Sequence, residues 1–134
     1  MAVMTEFTTD LQHSGMVSKD LDATIDYYVN KIGFKLVGRY PFGNNQHVAF
    51  LRYGHLTIET WDGEEAPMKA GAINHWAFDV PDVEAAFENA KKLGLNLKDK
   101  EIQEIPTFWE HGIRYFNVIG INGETLEFCQ ILKK

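Results

Sequence analysis

The sequence predicts an α+β fold made of two copies of one unit, in which a strand and a helix are followed by three further strands. The first observation is a repeat: positions 13 and 75 both hold histidine and differ by 62, and positions 20 and 82 both hold aspartate and also differ by 62. The second is that each aspartate precedes apolar residues at helical spacing, which end at a glycine. The third is that short apolar runs separated by turn residues follow each helix, a pattern typical of strands.

The first unit opens with a strand predicted at 11–18. Asp20 follows it and is suited to cap the N-terminus of a helix that ends at Gly33. One apolar face of that helix is formed by residues spaced by three or four: Leu21, Ile25, Tyr28 and Ile32. Three strands complete the unit, at 34–42, 47–53 and 56–61.

The second unit repeats this order after a polar linker at 62–71. Its first strand is predicted at 73–80, and Asp82 caps a helix that ends at Gly94. The apolar face of this helix consists of Val83, Ala86, Phe87, Ala90 and Leu93. The remaining strands are predicted within 95–105 and at 113–119 and 125–132, with a hairpin turn at 122–123. We therefore expect one domain, 1–134, with modules at 11–61 and 72–132.

Composition excludes several classes of protein. The chain is 45% hydrophobic, which is enough for a packed core, and its net charge is −6 from 13 basic and 19 acidic residues. There is no basic cluster, so we expect no nucleic-acid partner. No apolar stretch is long enough to cross a membrane, and the first ten residues lack the pattern of a signal peptide. The single Cys129 cannot form an internal disulfide, so we expect a cytoplasmic location.

Each unit also carries one glutamate in its last strand, Glu59 in the first and Glu127 in the second. If the helix of each unit covers one face of its strands, His13, His75 and the two glutamates are expected on the opposite face. Two imidazoles and two carboxylates suit one divalent metal ion: Zn, Ni, Co, Mn or Fe. The alternative is that each histidine is structural and that each glutamate faces water.

A metal ion with four protein ligands in octahedral geometry keeps two positions for water or a bidentate substrate. Such an ion stabilises an enediolate and lowers the barrier to removing a proton beside a carbonyl. Glu59 or Glu127 could then move that proton as general base. The pattern therefore favours an enzyme that acts on a small oxygenated molecule.

Four stretches resemble the vicinal oxygen chelate superfamily, which includes glyoxalase I, methylmalonyl-CoA epimerase, extradiol dioxygenases and the fosfomycin and bleomycin resistance proteins. They are HSGMVSKDLDATIDYYVNKIGF, LTIETW, NHWAFDVPDVEAAFENAKKLG and NGETLEFCQ. The resemblance covers roughly 11–132 and implies paired βαβββ modules that form an eight-stranded, partly open barrel. It also implies that His13, Glu59, His75 and Glu127 are the metal ligands.

The resemblance implies a glyoxalase I-like member, a metal-dependent lyase or isomerase. The alternatives are a methylmalonyl-CoA epimerase-like isomerase, a non-catalytic small-molecule binding protein of the resistance type, and an extradiol dioxygenase. The arginine that bacterial glyoxalase I places shortly after its first histidine ligand is absent from 14–17, and no glutamate stands at 44–47, where the epimerase has a further catalytic one. The substrate, and the use of glutathione, are therefore left open.

Further polar and aromatic residues are expected to border the cavity in this fold and to bind substrate: His47, Trp61, Phe108, His111 and Arg114. The alternative is that the polar members are solvated loop residues and that the aromatic ones belong to the core. We also expect a homodimer, because edge strands in so small a chain need covering.

Overall fold

The computed structural model describes residues 1–134, which divide into two compact units, 1–65 and 66–134. The first unit contains a short 3₁₀-helix (Met4–Phe7), β1 (Ser14–Val17), α1 (Leu21–Asp26) with a π-helical continuation (Tyr27–Ile32), β2 (Lys35–Pro41), β3 (His47–Tyr53) and β4 (Leu56–Trp61). The second contains β5 (His75–Asp79), α2 (Val83–Lys92), β6 (Asn96–Leu97), β7 (Gln103–Ile105), β8 (Ile113–Ile119) and β9 (Thr125–Ile131). No helix is both long enough and apolar enough to cross a bilayer.

The two sheets have the same connectivity. The first has the strand order β1-β4-β3-β2, and the second has the order β5-β9-β8-β6, with β7 also paired to β8. In each sheet the strand before the helix is parallel to the last strand of the unit, and the other pairs are antiparallel. Neither sheet closes on itself. The predicted α+β class with paired βαβββ modules is confirmed.

The first helix begins as predicted and then widens. The Asp20 side chain accepts a hydrogen bond from the backbone N–H of Ala23, and Gly33 ends the helix with φ of 102°. From Tyr27 onward the turns are π-helical, and the Gly33 N–H donates to the Tyr28 carbonyl over 2.7 Å. A π-turn places more residues in each turn, so the predicted spacing does not carry past Tyr27, and Ile32 is only half-buried. Tyr28 is fully buried, whereas Ile25 is only half-buried.

The second helix follows its predicted periodicity more closely. Asp82 caps it through the N–H of Ala85, and the buried face holds Val83, Phe87 and Ala90. Leu93 was expected on this face but is exposed, because the last helical residue is Lys92 and Leu93 already belongs to the C-terminal cap.

Each helix covers one face of its sheet. In the first unit, a chain of hydroxyl hydrogen bonds joins the two, since the Ser18 hydroxyl lies 3.0 Å from that of Thr24 on α1 and 2.5 Å from that of Thr60 on β4. In the second unit, Phe87 on α2 packs edge-on against Phe116 on β8, with ring centroids 5.1 Å apart. Because side chains alternate along a strand, the residues next to Thr60 and Phe116 in sequence point to the face that the helix leaves uncovered.

The strand predicted within 95–105 is two short strands, both paired with β8. The interruption has a visible cause: the Asp99 carboxylate accepts the backbone N–H of Asn117 over 2.8 Å. The Asn117 N–H on β8 is thus bound by a side chain, and it is no longer available to the backbone carbonyl of a neighbouring strand. Pairing resumes at β7, where Ile105 lies opposite Ile113.

Candidate functional site

His13 and Glu59 form a pair in the first unit. His13 lies just before β1, and Gly15, two residues later, is in register with Glu59 on β4. Residues two apart on an extended chain project to the same side, so the imidazole lies beside the carboxylate. His13 Nε2 is 3.5 Å from Glu59 Oε1, and both side chains are about one-third exposed. The Phe50 ring packs edge-on against the imidazole from β3, at 5.9 Å between centroids.

His75 and Glu127 repeat this arrangement in the second unit. Ala77, two residues after His75 on β5, is in register with Glu127 on β9. His75 Nε2 lies 3.2 Å from Glu127 Oε1, and the Glu127 side chain is 17% exposed, so this carboxylate is the more enclosed of the two. In each unit the histidine therefore lies two residues before the strand residue that pairs with the glutamate, as the sequence repeat predicted.

The other ring nitrogen of each histidine faces a side-chain amide oxygen of the preceding residue. His13 Nδ1 lies 2.5 Å from Gln12 Oε1, and His75 Nδ1 lies 3.0 Å from Asn74 Oδ1. A carbonyl oxygen only accepts hydrogen bonds, so a hydrogen bond at either contact requires the ring proton on Nδ1. The Nε2 lone pair then faces a carboxylate oxygen, which is also an acceptor. Two acceptors at this separation need a proton or a cation between them.

Each pair therefore has the chemistry and spacing of two ligands of one metal ion. Two atoms that lie about 2.1 Å from an ion and subtend about 90° to 110° are separated by about 3.0 to 3.4 Å. The distances of 3.5 Å and 3.2 Å are close to this range. Neither pair belongs to a group of three or more His, Cys, Asp or Glu side chains that could hold a metal ion, so one unit offers two potential donors, fewer than the four or more that such metals bind.

A groove of about 510 Å³ lies on the uncovered face of the second sheet, and we refer to it as the groove. His75 and Glu127 line it, together with Asn74, Ala77, Lys98, Ile105, Phe108, Trp109, Ile113, Tyr115, Asn117, Thr125, Cys129 and Ile131. A smaller pocket of about 290 Å³ lies in the first unit and is lined by Phe42, Val48, Glu59, Trp61 and Glu64. The second pair and the Glu59 carboxylate of the first thus border concave surfaces of the size range of small ligands.

The five residues expected to bind substrate divide into two sets. Trp61 lines the pocket that contains Glu59, and Phe108 lines the groove. The other three, His47, His111 and Arg114, line neither of these two surfaces.

Each of these three residues has other contacts or a different orientation. Arg114 is engaged on the α2 side of its sheet, where its guanidinium donates to Glu84 over 3.0 Å. His111 lies 3.8 Å from the exposed Glu110 carboxylate. His47 lies two residues before Ala49 on β3, so the two side chains point to the same face of the sheet. Ala49 is buried on the face that the helix of this unit covers.

Three site residues were not predicted from the sequence: Gln12, Asn74 and Asn117. Asn117 lies directly opposite Glu127 in the β8–β9 pairing and lines the groove. Its Nδ2 donates to the Asp99 carboxylate over 2.9 Å, which leaves the Oδ1 atom as an acceptor. Strand periodicity alone could have placed Asn117 on this face, because it is four residues after Ile113.

Cys129 lines the groove two residues from Glu127 but is not built to react. Burial, followed by the negative charges of Glu127 and Asp79, raises the pKa of the Cys129 thiol from 9.0 to about 11. The thiol is therefore protonated near neutral pH and is a poor nucleophile. Cys129 is also buried, with 8% of its surface exposed.

Known proteins resemble this chain in both sequence and fold. The family model described as Glyoxalase/Bleomycin resistance protein/Dioxygenase superfamily matches residues 10–117. An uncharacterised protein of Bacillus subtilis, YwbC, is 31% identical over 125 residues, which are 90% of this chain and 96% of that protein. A lactoylglutathione lyase of Neisseria meningitidis is 33% identical over 96 residues, 65% of this chain and 68% of that protein.

Solved structures show the same fold at lower identity. The fosfomycin resistance protein FosX from Listeria monocytogenes, complexed with Mn(II) and sulfate, matches with a TM-score of 0.69 at 18% identity, covering 94% of this chain and 95% of that one. The family model spans well over half of the chain. The chain belongs to the Glyoxalase/Bleomycin resistance protein/Dioxygenase superfamily.

Proposed function

We propose that this protein is a metal-dependent lyase or isomerase of the glyoxalase I-like type that acts on a small oxygenated substrate. The observation that carries the proposal is the repeated pair, in which His Nε2 faces Glu Oε1 at 3.5 Å in one unit and 3.2 Å in the other. A lactoylglutathione lyase among the relatives supports the reaction type, and the Mn(II) complex of FosX supports a divalent metal in this fold.

The proposed metal site combines both pairs. His13, Glu59, His75 and Glu127 would supply two neutral imidazoles and two carboxylates to one divalent ion: Zn, Ni, Co, Mn or Fe. The amide oxygens of Gln12 and Asn74 support this assignment, because they keep the ring proton on Nδ1 and leave Nε2 free to bind. The two pairs would come from one chain or from the two chains of a homodimer.

A divalent ion at this site would act as a Lewis acid that stabilises the enediolate form of the substrate. Glu127 would act as the general base once it loosens from its position as a ligand: its carboxylate would accept the proton from the carbon beside the carbonyl and return it to the neighbouring carbon. The proposal favours Glu127 over Glu59 for this role because Glu127 is more enclosed and borders the larger cavity. Glu59 would serve mainly as a ligand.

Metal analysis together with a proton-exchange assay tests the proposal. We expect one divalent ion per set of four ligands, and metal-dependent exchange of the carbinol hydrogen of an α-hydroxyketone in D₂O, followed by NMR. His75→Ala should abolish both. His55→Ala is the matched control, since His55 lies in the exposed turn between β3 and β4 and should change neither. Protein that binds no divalent metal would contradict the proposal and favour a binding protein. Bound iron with oxygen uptake on a catechol would favour a dioxygenase instead.

Co-expression of His13→Ala and His75→Ala chains decides which chains supply the ligands. If the site forms across a homodimer, random association restores about a quarter of the intact sites, because a mixed dimer contains one site without either substitution. If the site forms within one chain, every site contains a substitution and metal binding is not restored.

A further inference from the structure

We propose that the groove selects an amphipathic substrate, with an oxygenated head that binds beside His75 and Glu127 and an apolar body that extends toward Ile113 and Ile131. The proposal rests on the proposed function for the position of the head. It goes further by assigning the substrate class, which is a small molecule with an alkyl or aryl body.

The groove changes from polar to apolar along the strands that form its floor. Across β8 and β9, the side chains that line it come in three register pairs: Asn117 with Glu127, Tyr115 with Cys129, and Ile113 with Ile131. The first pair is polar, the second is mixed and the third is aliphatic. The direction of change is the same on both strands, so a bound molecule meets one polar end and one apolar end.

The loop after β7 extends the apolar end. Ile105 lies opposite Ile113, and Phe108 and Trp109 follow it and line the same groove. Both aromatic side chains are largely open to solvent, Phe108 at 51% and Trp109 at 70% exposure. A ligand that covers these side chains removes apolar surface from water, which favours binding.

Backbone geometry holds the loop in a demanding conformation. Trp109 has φ of 58°, in the left-handed region that residues with a side chain rarely adopt. The loop is fixed at both ends, where the Phe108 N–H donates to the Ile105 carbonyl over 3.3 Å and the Leu132 N–H donates to the Gly112 carbonyl over 2.9 Å. The indole is therefore kept at the groove by a fixed backbone turn.

The strand geometry also sets the length of the body. Ile131 is four residues from Glu127, and at about 3.3 Å per residue the apolar end lies about 13 Å from the carboxylate row. The cavity of about 510 Å³ is in the range that small-molecule sites occupy. A body of about eight carbon atoms, together with the oxygenated head that carries it, reaches from the carboxylate row to this end.

Charge argues against a glutathione adduct as the groove's ligand. Glutathione carries two carboxylates and one ammonium group, and each needs a charged or polar partner when it is enclosed. Lys98 supplies the one cationic side chain that lines the groove, and it lies at the polar end, where its backbone N–H donates to the Asn117 carbonyl over 2.9 Å. The apolar end offers no partner for a second carboxylate.

A series of alkyl hydroxamates tests the inference, because these probes share one bidentate oxygen head and differ in the length of the body. We would measure acetohydroxamate, hexanohydroxamate and octanohydroxamate by calorimetry on the full chain, with divalent metal and after chelation. We expect the Kd to fall with length by up to about fourfold per methylene, the transfer value for a buried CH₂. Equal affinity for all three probes in both preparations would overturn the inference.

Two variants locate the apolar body. Ile131→Asn should remove most of the length dependence, and because Ile131 is 40% exposed the substitution opens no cavity in the core. Val37→Asn, at a similarly exposed position on β2 of the first unit, should leave it unchanged. If the Kd of the hydroxamates still falls with chain length in Ile131→Asn, the assignment of the apolar body to Ile131 is overturned.

Separate readouts distinguish the other outcomes. If a second copy of the chain covers the apolar end, Ile131→Asn changes the mass in solution and the probes show no length dependence, which also overturns the inference. Metal titration reports on the proposed function independently. Loss of metal binding would contradict that function, while length dependence in the chelated protein would still support the apolar end.

Discussion

Asn74 Oδ1 lies 3.0 Å from Nδ1 of His75, the residue that follows it. The same contact joins Gln12 to His13 in the other unit, at 2.5 Å. Glutamine and asparagine differ by one methylene, so two side chains of different length place an amide oxygen at the same ring atom. The repeat of this contact favours the Nδ1–H tautomer in each histidine.

Asn74→Leu should therefore remove the contact that favours the Nδ1–H tautomer of His75. Leucine has a similar size but no acceptor, so we expect the metal-free protein to show a mixture of Nδ1–H and Nε2–H forms in ¹⁵N NMR of the imidazole. Metal affinity should fall by about 10- to 100-fold, as is typical when the partner of a ligating histidine is lost.

Two controls make this result specific. Asn74→Gln keeps an amide oxygen, as Gln12 does, and should restore both the tautomer and the affinity. Asn96→Leu, at an exposed position on β6, should have no effect on His75. A wild-type spectrum that already shows His75 with its proton on Nε2 would contradict the assignment.

Glu127→Gln and Glu59→Gln should separate the ligand role from proton transfer. Both substitutions replace a carboxylate with a neutral amide of the same shape, so both should weaken metal binding. At saturating metal, we expect Glu127→Gln to lower the rate of α-hydroxyketone exchange by about 10² to 10⁴-fold, the usual contribution of a general base. Glu59→Gln should lower it by less than about tenfold. Equal losses in the two variants, or a larger loss for Glu59→Gln, would move the base to the first unit.

The repeat made the histidine–glutamate pairs predictable from sequence. The regular strands were also predictable: 47–53, 56–61 and 113–119 match β3, β4 and β8, because alternating burial and flanking turn residues define a strand locally. His13 was placed inside a strand but lies just before β1, a shift at an element boundary, where local pattern is least informative.

Other features depend on contacts between residues that are distant in sequence. The break between β6 and β7 comes from Asp99, which binds the N–H of Asn117, 18 residues away, and no local pattern encodes that pairing. The Arg114 guanidinium was expected at the cavity, but it pairs with Glu84 across 30 residues, on the other face of its sheet. The alternation of side chains along β8 could have placed Arg114 and Asn117 on opposite faces, because the two are an odd number of residues apart.

Cys129 should react slowly with alkylating reagents in the folded protein. Cys129 is 8% exposed, and the pKa of its thiol is raised to about 11, so at pH 8 the thiolate fraction is about 100-fold lower than that of a thiol with pKa 9. We expect iodoacetamide labelling in EDTA, followed by mass spectrometry, to be at least about 100-fold slower than in urea-unfolded protein. Cys129→Ser should take up no label under either condition. Labelling of the native protein at the unfolded rate would show that the thiol is accessible and ionised.

Thr60→Val should destabilise the first unit more than its small change in size suggests. The Thr60 hydroxyl lies 2.5 Å from the Ser18 hydroxyl, which also contacts Thr24, and all three side chains are buried. Valine keeps the volume but removes one hydroxyl from this chain, so the buried Ser18 hydroxyl loses one of its two hydroxyl partners. We expect the free energy of unfolding in urea to fall by about 0.5 to 1.5 kcal/mol, the usual net contribution of one hydrogen bond, because the contact of Ser18 with Thr24 remains. Thr107→Val, at an exposed turn position, should change it by less than about 0.5 kcal/mol. An unchanged urea midpoint for Thr60→Val would mean that the hydroxyl chain contributes nothing to joining α1 and β4.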